Sequence, residues 1–265
     1  MTSISLERRV PPFGGFNLTY LRIELMRKLR NRRGMLFTIA FPILMYVIVG
    51  ARFVHTQLTA TPLSQGGPSV AAYIMVSMAM YGAMMSATQT GAAVALERTQ
   101  GWSRQLLLTP LNPLVNVVIK MIAGMLLGLI AVVATYVAAA ISGVHLSLLQ
   151  WLGTGVIAWL LAGAVFTTLG LMMGYMVPGE NAAQITSFVI VILSFLGGLF
   201  YPLNQMPEFL QTIAKFTPVY GISAIARAPI TGDAFDVGTL VNAIVWLAIF
   251  VAGTVFFFRR DTKRV

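Results

Sequence analysis

Residues 121–177 read MIAGMLLGLIAVVATYVAAAISGVHLSLLQWLGTGVIAWLLAGAVFTTLGLMMGYMV. Between Met121 and Gly179 there is no Asp, Glu, Lys or Arg. A helical membrane span needs about 20 mostly apolar residues, so this stretch holds two spans, joined by a short polar link around Ser142–Gln150. The runs are continuous rather than alternating, which excludes a transmembrane barrel. Working outward, the same criterion gives six candidate spans: Met35–Val54, Val70–Leu96, Leu114–Ile141, Trp151–Val177, Ala182–Tyr201 and Val237–Phe258. The fold class expected is an all-α membrane protein with six transmembrane helices.

The composition agrees. The 265 residues are 57% hydrophobic and 10% charged, whereas a soluble domain carries about 25% charged residues. A soluble enzyme and a disordered chain are both excluded. The net charge of +10 does not point to nucleic acid, because the basic residues cluster outside the apolar runs instead of over a soluble face. No cysteine is present, so disulfides and thiolate metal sites are out of reach.

An even number of spans puts both ends on one side, and the basic residues choose it. Residues 1–34 carry eight Arg and Lys, the loop after the second span adds Arg98 and Arg104, Lys120 lies just inside the third span, and the tail adds Arg259, Arg260, Lys263 and Arg264. Only Arg52, Lys215 and Arg227 fall on the other side. The positive-inside rule predicts cytoplasmic termini. The basic segment before the first span is too long for an ordinary signal peptide, and no small-residue cleavage site closely follows the apolar run. The location expected is a cell membrane, multi-pass; the resemblance given below implies a bacterial inner membrane.

Three segments outside the spans carry information. In the N-terminal segment (1–34), Asn17 is a plausible N-cap, and Leu18, Leu21, Leu25 and Leu29 fall on one narrow face of a helix to about Arg33. Such a helix lies along the inner membrane surface, either as a plain anchor or as an element that also touches a cytoplasmic partner. The loop 97–113 is longer than a turn needs, and Pro110 and Pro113 would stop a short helix over Ser103–Leu108. The outer segment 202–236 places Met206, Phe209, Leu210 and Ile213 on one helical face and starts a second short stretch at Pro218. Neither stretch can span, so a short re-entrant or interfacial helical hairpin is expected, either resting on the outer leaflet or acting as a lid. The bilayer domain is then 35–258 and the basic tail 259–265.

Small residues recur at Ala79, Ala83, Ala87, Gly91 and Ala95, at Gly124 and Gly128, and at Gly170 and Gly174. Such ridges let helix backbones approach closely in lipid. Lys120 is close enough to the inner interface to snorkel, and the spans otherwise lack interior charges, so no proton relay and no carboxylate cage for a driving ion is expected. His55 and His145 have no metal-binding motif partner, and no nucleophile–base pair appears. A phosphate-cradling GxxxxGK[ST] loop needs a lysine after a glycine, and none of Lys28, Lys120, Lys215 and Lys263 follows one. If ATP drives this protein, the ATPase is another chain.

Two stretches resemble the membrane subunits of ABC-2 type (ATP-binding-cassette) exporters, and most closely bacterial drug- and antibiotic-efflux members. One is Glu97-Arg98-Thr99-Gln100-Gly101 through Thr109-Pro110. The other is Gly197-Gly198-Leu199-Phe200-Tyr201-Pro202-Leu203, followed by Met206-Pro207 and Phe216-Thr217-Pro218-Val219-Tyr220. The resemblance implies a permease without an ATPase site of its own, paired with a second permease copy or paralogue and with cytoplasmic ATPase subunits that hold ATP and Mg. It implies that the loop 97–113 couples to the ATPase, with Glu97, Arg98, Gly101, Trp102, Arg104 and Leu107 as the candidates. The helix 17–33 becomes the family's elbow helix, with Arg27 on its basic face. The second and fifth spans would meet their mates across the dimer axis, which makes Met80, Met84, Gln89, Phe188 and Phe195 candidates for a substrate path, with packing against lipid or core as the competing reading of each. Membrane lipids are expected partners and nucleic acid is not. The implied cargo is a hydrophobic or amphipathic drug, antibiotic or lipid. Export of a lipid-linked glycan, or ATP-independent secondary transport, is the alternative.

Overall fold

The computed structural model describes residues 15–65, 67–101, 113–177, 179, 181–232 and 236–262. It is an all-helical bundle with no strand among the described residues. The helices are α1 (Leu18–Leu29), α2 (Leu36–Phe53), α3 (Val70–Thr99), α4 (Pro113–Ile141), α5 (Leu148–Met176), α6 (Asn181–Leu196), α7 (Glu208–Lys215), α8 (Pro218–Thr231) and α9 (Val237–Thr262). The proposed coupling residues Trp102, Arg104 and Leu107 lie outside the described residues.

Asn17 caps α1 as its type predicts, accepting from the Thr19 N–H. Ser69 caps α3 in the same way, and Ser147 with Gln150 forms a capping box at the start of α5. At the other end of α3, Gly101 adopts φ +71° and a Cβ there would touch nothing. Backbone handedness, not space, therefore asks for glycine where the chain turns into the 97–113 loop.

The first span is not a uniform helix. Leu36–Ala40 and Tyr46–Gly50 are wide π turns on either side of Phe41–Met45, and Ala51–Phe53 tightens to 3-10. Pro42 is the local cause at the first of these, because its missing N–H and its ring forbid the bond to the Thr38 carbonyl. That carbonyl faces α3, where a Cβ on Gly82 would sit 2.8 Å from it.

Buried on nearly every side, α3 is the axis of the bundle. Its closest partner is α5, and the small-residue ridges read from sequence account for the approach. A Cβ on Gly170 would lie 2.3 Å from the Thr88 carbonyl oxygen, and one on Gly91 would lie 2.2 Å from the Leu171 nitrogen. The two helices thus touch backbone to backbone. Gly124 of α4 instead makes room for the Thr90 side chain of α3, while Gly128 meets Ala83 at an ordinary contact distance. Phe41, Tyr81, Phe195 and Phe200 stack around one another and tie α2 and α3 to the end of α6.

Among the described residues, five helices are long and apolar enough to cross a membrane: α2, α3, α4, α5 and α9. The expected fifth span is shorter than the sequence reading of Ala182–Tyr201. Its helix α6 has 16 residues, about 24 Å, against a hydrocarbon thickness of about 30 Å. The glycine pair explains the stop. Gly198 turns at φ +74° with its N–H bonded back to Phe195, and a Cβ on Gly197 would clash with Val219 of α8.

The two outer helices form, separated by only Phe216 and Thr217. They differ in character. On α7, Phe209 and Ile213 are exposed and Leu210 is half-buried; Met206, also half-buried, precedes the helix. By contrast α8 is largely buried, with Val219, Ile222, Ile225, Ala226 and Ile230 in the core. The corner between them hangs on α9, where the Asn242 amide donates to the Lys215 carbonyl at 2.9 Å and the Trp246 indole N–H donates to the Phe216 carbonyl at 2.9 Å. Half of the expected lid is therefore a core helix, because α8 is apolar around most of its circumference.

Candidate functional site

Four charged side chains converge at one end of the bundle. Glu97 sits in the last turn of α3, next to the start of the 97–113 loop, and is buried. Lys120, early in α4, donates to Glu97 Oε1 at 2.7 Å and to Glu24 Oε1 at 2.9 Å. Arg27 closes the arrangement, 2.9 Å from Glu97 Oε1 and 3.0 Å from Glu24 Oε2. Glu24 and Lys120 are each 3% exposed. Two acids and two bases thus neutralise one another between α1, α3 and α4. Lys28 adds a bond from its ammonium to Thr90 Oγ1 on α3 at 2.8 Å, and the Tyr20 hydroxyl donates to Asn116 Oδ1 on α4.

Local sequence explains the face. Tyr20, Glu24, Arg27 and Lys28 follow at steps of three and four, so they share one side of α1. That side docks on the bundle. The leucine stripe lies beside it: Leu21, Leu25 and Leu29 are half-buried and Leu18 is exposed. Lys120 therefore does not snorkel to the interface as expected from its position; it is buried on two carboxylates. Glu97, expected in the loop after the second span, is instead enclosed in the last turn of α3. The signal available in the sequence was Glu24, the one acid between Glu7 and Glu97 in a strongly basic segment.

Burial alone would push the Glu24 carboxyl up, but the hydrogen bond and charge of Lys120, then Arg27 and Lys28, hold it below the usual carboxylate range. Burial pushes the Lys28 ammonium down to about 8, with Lys120 and Arg27 adding to the effect and Glu24 and Glu97 opposing it. Detached, Lys28 titrates near 10.5. Between about 8 and 10.5 the detached helix binds a proton that the docked helix does not, so docking strengthens as pH rises through that window and is weakest below it. Electron-spin distances between labels at Met26→Cys and Val118→Cys, both exposed positions, should show a smaller undocked fraction at pH 10 than at pH 7.5. Lys28→Met should flatten the pH dependence; an unchanged slope in that variant would show that another group governs it.

Arg98 works on the other side of the same helix end. Its Nη1 donates to the Gly174 carbonyl at 3.2 Å, and its guanidinium lies 5.3 Å from the centre of the Tyr175 ring. A cation there satisfies the last carbonyls of α5. Tyr175 in turn meets Phe258 near the end of α9. One end of the bundle thus gathers α1, the end of α3, the start of α4, the end of α5 and the end of α9. The ABC-2 type transporter family matches this chain over residues 17–229, from the cap of α1 to the last turn of α8.

The chain belongs to the ABC-2 type transporter family.

It is also similar to a Bacillus subtilis (strain 168) protein described as "Putative transport permease YvfS", with 28% identity over 231 residues that cover 86% of this chain and 91% of that one. The protein is a multi-pass membrane transport permease.

Within this ABC-2 permease the residues proposed for a substrate path separate into two groups. Met80 and Met84 are fully buried in the core of one chain. Phe188 and Phe195 are 65% and 54% exposed on α6, in line with the exposed Ile185 and Ile192. Gln89 lies between the groups, half-buried, its amide donating to the Ala183 carbonyl at 3.2 Å and to the Ser187 hydroxyl on α6. The fold therefore leaves α6 with one open apolar face and turns the methionines of α3 away from it.

Proposed function

We propose that the chain is the membrane half of an ATP-driven exporter, acting with a second permease copy or paralogue and with separate cytoplasmic ATPase subunits. The cargo is a hydrophobic or amphipathic molecule, of the drug, antibiotic or lipid class, taken from the cytoplasm or the inner leaflet. One observation carries this reading. The loop 97–113 springs from a helix end that is locked by charge to α1 and α4 through Glu97 and to α5 through Arg98. A push on that loop is therefore delivered to three other helices at once rather than absorbed by a hinge. The open face of α6 at Phe188 and Phe195 supplies a surface for the second permease. Export is favoured over secondary transport because the buried carboxylates among the described residues, Glu24 and Glu97, are neutralised by cations at one end of the bundle instead of forming a relay along it.

Purification of the permease from its own membranes tests the reading. A bound soluble ATPase should co-purify, and its ATP turnover in proteoliposomes should rise with cargo. Trp102→Ala with Arg104→Ala should lower that stimulation several-fold while leaving membrane insertion intact. Unchanged stimulation in the assembled double variant would remove the loop from the coupling route.

A further inference from the structure

Arg227 is the one buried cation outside the inner cluster among the described residues. It lies on α8, 5% exposed. Its Nη1 donates to the Tyr73 hydroxyl at 2.7 Å, its Nη2 donates to the Ser77 hydroxyl at 2.7 Å and to the Gly198 carbonyl at 3.0 Å, and its guanidinium carbon stands 3.9 Å from the centre of the Tyr73 ring. Every one of these partners is neutral. The Nε–H is buried with no acceptor. Of the described carboxylates, Glu24 and Glu97 are committed at the opposite end of the bundle, Glu208 is exposed on α7, and Asp236 receives the Gly238 N–H at the start of α9.

That arrangement is unusual on energetic grounds. A guanidinium keeps its charge under all accessible conditions, and buried charges are ordinarily paired because desolvation of a lone ion costs several kcal/mol or more. In the inner cluster of this same protein the buried Lys120 obeys the rule, resting on two carboxylates. Arg227 instead leaves its Nε–H without an acceptor and rests its Nη groups on neutral oxygens alone, and a guanidinium so placed matches a phosphate or carboxylate that takes the place of those neutral acceptors.

Position sets the kind of molecule. Tyr73 and Ser77 lie in the first two turns of α3, so Arg227 stands roughly 5–10 Å below the start of that helix. With 30 residues, α3 is about 45 Å long, longer than the hydrocarbon core of about 30 Å. Arg227 therefore sits where headgroups meet acyl chains, on the side of the bundle opposite to Glu97, between α8, α3 and the glycine turn that ends α6.

We propose that Arg227 is a recognition point for an anionic headgroup, a phosphate or carboxylate on an amphipathic molecule, which enters between α8 and the ends of α3 and α6 and replaces the neutral acceptors. As a statement about cargo this rests on the export reading above; as a binding site it does not. The same chemistry fits an outer-leaflet phospholipid and a transported amphiphile, and the experiment separates them.

The purified permease in a neutral maltoside detergent is titrated with dodecyl phosphate, dodecanoate, dodecyl glucoside and dodecyltrimethylammonium. The two anions should bind about tenfold more tightly than the glucoside, the size expected of one charge-assisted pair. Arg227→Lys should keep part of that preference and Arg227→Gln should lose it. Thermal unfolding without ligand verifies that each variant is folded, and Arg227→Met replaces Arg227→Gln if the latter is not. Equal affinities in the native protein, or a preference that survives loss of the charge, would overturn the site. In vesicles holding the complete transporter, an anion-selective ATP-driven uptake that Arg227→Gln slows marks the site as a cargo site. Uptake without headgroup preference, together with loss of co-purified phospholipid phosphorus in Arg227→Gln, marks it as a lipid site. If no amphiphile moves while the binding preference stands, the export reading fails and the site remains.

Discussion

Replacing Lys120 by methionine undocks α1 from the bundle. The Lys120 ammonium holds Glu24 and Glu97 together at 2.9 and 2.7 Å, and all three are buried. Its removal leaves two carboxylates facing each other with Arg27, about half exposed, and the more distant charge of Lys28 to balance them. Breaking a buried pair by deleting one partner costs about 3–5 kcal/mol, because the survivor is left charged and desolvated. The chain relieves this by releasing α1, since that helix has 12 residues and is tethered by a short link. The measurement is the distance between spin labels at Met26→Cys and Val118→Cys, which should broaden and lengthen in Lys120→Met. If the chain works with an ATPase as proposed, ATP turnover in the assembled transporter should fall with it. The combination Lys120→Met with Glu24→Gln and Glu97→Gln should recover much of the docking, since it removes the stranded charges; no recovery would show that Lys120 acts through its shape alone. A docked α1 in the single variant would show that Lys120 does not hold α1 to the bundle.

Gly170→Leu prevents α3 and α5 from packing, and little folded protein is recovered. A Cβ at this position would stand 2.3 Å from the Thr88 carbonyl oxygen and 2.8 Å from the Thr88 Cα. Both are backbone atoms at the centre of the bundle, so no rotamer change relieves the overlap. Even Gly170→Ala should cost about 1–3 kcal/mol, the range for overpacking a close contact. Gly163→Ala on the same helix is the control. Its Cβ would meet only the flexible end of Met125, at 3.2 Å, and it should behave like the native protein. Size-exclusion profiles in mild detergent and unfolding by sodium dodecyl sulfate separate the three. Equal unfolding midpoints for Gly170→Ala and Gly163→Ala would show that the helices can slide apart without loss.

The glycine ridges show how much the sequence holds when its signal is local. The Gly170–Gly174 spacing marked the tight face of α5, and the apolar runs marked the spans, because both depend only on periodicity along one helix. Caps at Asn17, Ser69 and Ser147 follow from residue type for the same reason. The early end of α6 was written in Gly197-Gly198, but its cause is the close approach of Val219 from 22 residues downstream, which no local pattern reveals.

Sequence by itself determined that this is a multi-span helical membrane protein, that its basic residues segregate, and that the stretches around Glu97-Arg98 and Gly197-Gly198 resemble one transporter family. Only the tertiary structure decided what the charges do. Lys120 and Glu24 are 96 positions apart, and Arg227 and Tyr73 are 154 apart. A charged side chain near a span end looks the same in sequence whether it snorkels to water or is enclosed by another helix. The difference lies in which helix covers it, and helix packing is set by contacts between faces that are distant in the chain.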